Sequence, residues 1–173
     1  MDFFDSAEAG PENYRDIVSI IVDKDTYWSQ RFRILRYADD IAGYLGWVRT
    51  SILVVDNETP VATIATKNEK LYYEWDGDNG TSNLVWTALI GNIPIPMVEK
   101  DGLFFSSLYP YVDFDDKAYI YNRKSAQYEY AVFYNGVEAV DIWHWVINPS
   151  VGRNWSGAAD IEKIWQFLDK THD

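Results

Sequence analysis

The sequence predicts an α+β fold: two N-terminal helices, a curved, mainly antiparallel sheet of about seven to nine strands built from hairpins, and one C-terminal helix. Three observations carry this reading. Apolar residues recur at helical spacing up to Leu45. From Trp47 onward, short β-branched and aromatic runs alternate with turn residues. Helical spacing returns only after Ser156.

Residues 1–10 read as a lead-in to one domain spanning 1–173. Pro11 suits a first helical position, and Tyr14, Ile17, Val18 and Ile21 follow at helical spacing, which predicts a helix over 11–22. Asp25 or Thr26 can cap a second helix, whose stripe is Trp28, Phe32, Leu35, Ala38, Ile41, Ala42 and Leu45. Gly46 stops it.

Strands are then expected over 47–55, 61–66, 71–75 and 84–90, with turns at 56–60 and 77–80. Pro94 and Pro96 keep 92–96 out of a central strand. Lys100-Asp101-Gly102 turns a hairpin between 97–98 and 103–108, and 109–116 is a loop. A three-strand meander over 117–121, 127–134 and 137–147 follows, its second turn being Asn135-Gly136. Ser156 caps the last helix, with Ile161, Ile164, Trp165 and Leu168 on its apolar face.

Composition bounds the chemistry. Of 173 residues, 47% are hydrophobic, enough for a sizeable core without staples. Cysteine is absent, which excludes disulfides, thiolate metal sites and a Cys nucleophile. The net charge of −12 disfavours a duplex or an anionic membrane as partner and favours a basic protein. Met1-Asp2-Phe3-Phe4-Asp5 lacks the basic and apolar regions of a signal peptide, so the expected location is the cytoplasm.

Four strings invite a chemical reading. Tyr37-Ala38-Asp39-Asp40, after Arg36, resembles the aspartate motif of reverse transcriptases, where a β-hairpin presents two metal ligands. Here Ala38 and Ile41 belong to a helical stripe, so a surface helix is expected instead. Asp76-Gly77-Asp78-Asn79-Gly80 is similar to the start of a calcium loop, but Gly80 and Thr87 occupy ligand positions and a turn is expected. His144 lies between Trp143 and Trp145, and Asp141 falls on the opposite strand face. Tyr119 and Tyr121 should pair across strands with Tyr128, Tyr130 and Tyr134 as a ladder.

The functional expectation rests on surface chemistry. A small acidic chain without a catalytic motif reads as a non-enzymatic binding protein. It would dock on a basic, nucleic-acid-handling protein and inhibit or neutralise it, as inhibitor, immunity or anti-defence proteins do by presenting carboxylates in place of phosphates. The expected contact loop is Tyr111, Asp113, Phe114, Asp115 and Asp116, which mixes aromatic anchors with acids. No cofactor, metal, direct nucleic-acid contact or membrane is expected. The alternative is a small-ligand or enzymatic domain with an aromatic-lined pocket near His144, using Tyr128, Tyr130 and Trp145.

Overall fold

A computed structural model describes residues 3–5, 16–73, 83–115, 117–131, 140–149 and 155–172. It replaces the expected antiparallel architecture with two sheets, the larger one mostly parallel. The first has five strands in the order β1-β3-β2-β4-β9. These are β1 (Phe3–Asp5), β2 (Asp16–Asp23), β3 (Val48–Val55), β4 (Leu84–Ile90) and β9 (Trp143–Ile147). β3, β2, β4 and β9 run parallel, and β1 pairs antiparallel with β3 at the edge. The second is a four-stranded sheet in the order β6-β5-β8-β7. Its strands are β5 (Met97–Lys100), β6 (Leu103–Ser106), β7 (Tyr119–Asn122) and β8 (Gln127–Tyr130).

Helix α1 (Lys24–Leu45) connects β2 to β3, and α2 (Val61–Tyr72) connects β3 to β4. Helix α3 (Ala158–His172) follows β9. One face of the parallel sheet packs Ile20, Val22, Ile52, Val54, Ala88 and Ile90 against Tyr27, Ile34 and Ala38 of α1 and Ile164 and Leu168 of α3. The other packs Ile17, Ile21, Leu53, Val55 and Leu89 against Ile64, Ala65 and Leu71 of α2 and against Val98, Tyr119 and Tyr128 of the second sheet. The result is a doubly wound α/β layer into which the small sheet is inserted between β4 and β9.

Two expected elements are corrected, each for its own reason. Strand β2 was expected as a helix, yet every residue from Ile17 to Asp23 is buried. A strand covered on both faces is a continuous apolar run, and such a run satisfies helical spacing automatically. Residues 61–66 were expected as a strand because they are β-branched, but they open α2. With α1 and α2 each serving as a crossover between strands, β2, β3 and β4 run parallel. The expected three-strand meander is corrected too: β9 pairs with β4, not with β8. The Gly46 stop of α1 in the left-handed region, the β5–β6 hairpin and the presence of α3 match the sequence reading. The expected caps do not: Asp23, not Asp25 or Thr26, caps α1, because its carboxylate accepts both of their amides, and α3 starts at Ala158 with the Ser156 hydroxyl donating to Asp160. The turns at 77–80 and 135–136 lie outside the described residues.

Tyr37-Ala38-Asp39-Asp40 lies within α1, with Ala38 buried. Arg36 and Arg33 reach across to Asp169 of α3 at 2.6 and 3.1 Å, clasping the two helices. Among the described residues, no helix is long and apolar enough to cross a membrane.

Candidate ligand cleft

Helix α2 begins just after Pro60 and presents Ala62, Thr63, Thr66 and Lys67 away from the parallel sheet. Small residues on that side keep the helix surface low. The β7–β8 hairpin stands opposite, and between the two lies an open cleft of about 490 Å³. Its wall on the sheet side is Tyr119, Tyr121 and Tyr128. Register explains their gathering: Tyr119 is opposite Tyr130 and Tyr121 is opposite Tyr128. The ring centroids of these pairs are 5.6 and 5.1 Å apart, so the tyrosine ladder exists as expected. Tyr134 lies outside the described residues.

The cleft is held together by polar ties on both sides. Lys117 Nζ donates to Glu69 Oε1 of α2 at 2.6 Å. Deeper, Asn68 Nδ2 of α2 donates to Thr87 Oγ1 of β4 at 2.9 Å and to the Tyr111 carbonyl at 2.8 Å. Burial, with the neighbouring Tyr121 and Glu69, pushes the Tyr128 phenol above its ordinary pKa of 10.0. It therefore stays protonated at neutral pH as a potential donor. Lys67 and Arg123 are exposed at the rim.

The loop expected to contact a partner is mostly interior. Tyr111 is fully buried and its hydroxyl donates to the Pro94 carbonyl at 2.6 Å. Phe114 is buried and packs on Tyr72, with ring centroids 5.1 Å apart. Asp113 is buried, and its Oδ2 accepts from the Ala118 amide at 2.9 Å. Asp115 is exposed, and Asp116 lies outside the described residues. Asp113 and Phe114 therefore line the base of the cleft.

Asp113, Asp115 and Asp141 bring carboxylate oxygens within 4.8 Å of one another, the donor chemistry of a hard cation. Asp141 already accepts the amides of Phe114 and Asp115, so it pins the loop from behind. Burial raises the Asp141 carboxyl above its ordinary value, and the Asp115 charge adds to that.

The group expected around His144 is divided between the two sheets. Tyr128 lines the cleft and Tyr130 backs it, whereas His144 and Trp145 belong to β9. His144 is exposed beside Trp143, and partial desolvation lowers its pKa from the ordinary value. Trp145 Nε1 donates to the Tyr37 hydroxyl of α1 at 3.1 Å.

A second, smaller crevice of about 200 Å³ lies where the strand order reverses, at the C-terminal ends of the parallel strands. Asp23, Asp25, Asp56, Asn92 and Trp155 line it. Doubly wound sheets commonly hold ligands there. In this chain, however, the Asp23 carboxylate is engaged by three backbone amides, those of Asp25, Thr26 and Asn92.

The sequence reading missed Thr63, Thr66, Lys67, Lys117 and Arg123. The signal for α2 was present in Val61, Ile64, Ala65, Asn68 and Leu71, which recur at helical spacing. The fold and cleft together define a doubly wound α/β domain with an inserted mixed sheet and an aromatic-walled cleft. Comparison with protein families, with curated proteins and with solved structures returns no match.

Proposed function

We propose that this chain is a small-ligand-binding domain, and that the cleft between α2 and the β7–β8 hairpin is its site. The observation that carries the proposal is the convergence of Tyr119, Tyr121 and Tyr128 on one wall of a 490 Å³ cleft with hydroxyl and charged groups opposite. That volume falls in the ordinary range for small-molecule sites, about 300–1,000 Å³, and the strand-end crevice of about 200 Å³ falls below it. Tyr119 and Tyr128 are buried at the back of the wall, so the partly exposed Tyr121 is the ring on which a planar or sugar ring can stack, and Thr63 and Thr66 supply hydroxyl partners along the edge.

Docking on a basic protein partner is less well supported by this geometry. Tyr111 and Phe114 are committed to the core and cannot reach a partner surface. Asp115 alone, among the described acids of that loop, is exposed.

Ligand-observed saturation-transfer NMR tests the proposal with a panel of soluble ring compounds: nucleosides, hexoses and their charged derivatives. A Thr66→Trp variant provides the control, because a large side chain on the exposed side of α2 obstructs the cleft without touching the core. Signals in the wild type that disappear in the variant support the cleft as the site. No signals from the panel, or signals that persist unchanged in Thr66→Trp, would refute it.

A further inference from the structure

On the reading that the cleft is a ligand site, we infer that its ligand is an anionic ring compound. Its ring would lie on the tyrosine wall at Tyr121, and its phosphate or carboxylate would be held by Lys67, Lys117 and Arg123. The inference starts from an imbalance of charge. The chain carries 27 acidic against 15 basic residues, yet three cations border this one cleft. The two carboxylates that share the cleft are already engaged. Glu69 is paired with Lys117, and Asp113 is buried with one oxygen accepting the Ala118 amide.

Lys67 and Arg123 are exposed, and neither forms an ion pair with a described acid. In a protein of net charge −12, cations left over beside an aromatic wall are suited to an incoming anion rather than to internal neutralisation. Arg123 supplies a planar fork that matches phosphate or carboxylate oxygens, and the two lysines act as point charges. Lys117 adds a switchable element. An anion that enters the cleft competes with Glu69 for its ammonium, so the 2.6 Å ion pair can open as the ligand binds.

The test is calorimetric titration of the intact chain with matched compounds: adenosine and adenosine 5′-monophosphate, glucose and glucose 6-phosphate, glucuronate, and inorganic phosphate alone. The expected result is that at least one charged ring compound binds about tenfold or more tightly than its neutral parent, with affinity falling as salt is raised. Comparison of glucose 6-phosphate with glucuronate then identifies the preferred anion, and comparison with adenosine 5′-monophosphate identifies the preferred ring. A Lys67→Met/Arg123→Met variant should lose the preference for the anion while keeping the weak binding of the neutral ring. Its melting curve establishes that it folds, and Arg123→Met alone serves if the double variant does not.

Equal affinity for charged and neutral partners would overturn the inference and leave the cleft reading intact. Inorganic phosphate binding as tightly as the ring compounds would overturn the part played by the tyrosines. Anion preference that survives in the double variant would place the anion elsewhere and also overturn the inference. Absence of binding by both charged and neutral compounds would instead defeat the cleft reading on which it rests.

Discussion

A side chain on Gly91 would collide with the carboxylate of Asp23: a Cβ there would stand 1.7 Å from Asp23 Oδ2 and 2.8 Å from Thr26 Oγ1. The two residues end adjacent parallel strands, β4 and β2. Asp23 Oδ1 caps α1 by accepting from Asp25 N and Thr26 N at 3.1 Å, and Oδ2 accepts from Asn92 N at 3.0 Å. One carboxylate therefore joins the start of α1 to the exit of β4. Gly91 makes room for it and also adopts a φ of 87°, which side chains rarely tolerate.

Gly91→Ala should accordingly destabilise the fold by about 2–4 kcal/mol, from a lost helix cap together with backbone strain. Urea unfolding followed by circular dichroism measures this. A loss below about 0.5 kcal/mol, the size of an ordinary surface substitution, would contradict the close-packing argument.

Asn68 ties α2 both to β4 and to the turn that carries Tyr111. Asn68→Ala leaves the buried Tyr111 carbonyl and Thr87 hydroxyl without that amide and should cost about 2 kcal/mol. Ser19 is also buried, but its hydroxyl makes no hydrogen bond among the described residues. Ser19→Ala should therefore be neutral or mildly stabilising. The same unfolding measurement on both variants checks the contrast, and equal losses would count against it.

The clasp between α1 and α3 should be visible in acid. Desolvation pushes the Asp169 carboxyl up, but hydrogen bonds from Arg36, the Trp165 indole and Arg33 outweigh it and hold the group below 3.8. A depressed native pKa gives stability that is present above 3.8 and lost as pH falls through the native value. Asp169→Asn should flatten the stability profile between about pH 5 and pH 3 relative to the wild type. Thermal melts across that range provide the comparison, and parallel profiles would contradict the assignment.

Asp141 has the opposite sign. Burial raises its carboxyl above 3.8, and the neighbouring Asp115 raises it further, while the Phe114 and Asp115 amides act the other way. A raised native pKa means stability that is full below 3.8 and declines as pH rises through the native value. Asp115→Asn removes one raising influence, so the Asp141 titration should move down and stability at neutral pH should rise. Carbon-detected NMR titration of the Asp141 side chain reads this directly, and an unmoved midpoint would exclude the coupling.

The legible and illegible parts of the sequence divide along physical lines. Helix α1 was readable in its existence and its stop, because Gly46 supplies the left-handed residue that ends it, but only part of its buried face was: Ala38 and Ala42 face the core as expected, whereas Trp28 and Phe32 are exposed and Tyr27 and Ile34 are buried in their place. The β5–β6 turn was readable because Asp101 and Gly102 adopt positive φ, a local demand met by local residues. The tyrosine ladder was readable because strand alternation alone specifies it. The parallel sheet was not readable in the same way. Burial on both faces erases the alternation in β2 and leaves Ile17–Asp23 without a distinguishing period. That loss concealed the layer order, and with it the fact that α2 faces the small sheet. Half of the cleft, the tyrosines, was therefore visible in the sequence. Thr63, Thr66 and Lys67 of α2 were not, because they meet the tyrosines only through long-range topology.

Amide chemical-shift mapping with the ring compound that gives the strongest saturation-transfer signal tests the ligand-cleft account most directly. The account predicts perturbations concentrated in residues 62–69 of α2 and residues 119–128 of the β7–β8 hairpin. Perturbations centred on Asp23, Asp56 and Asn92 at the strand ends, with α2 and the hairpin unmoved, would contradict it.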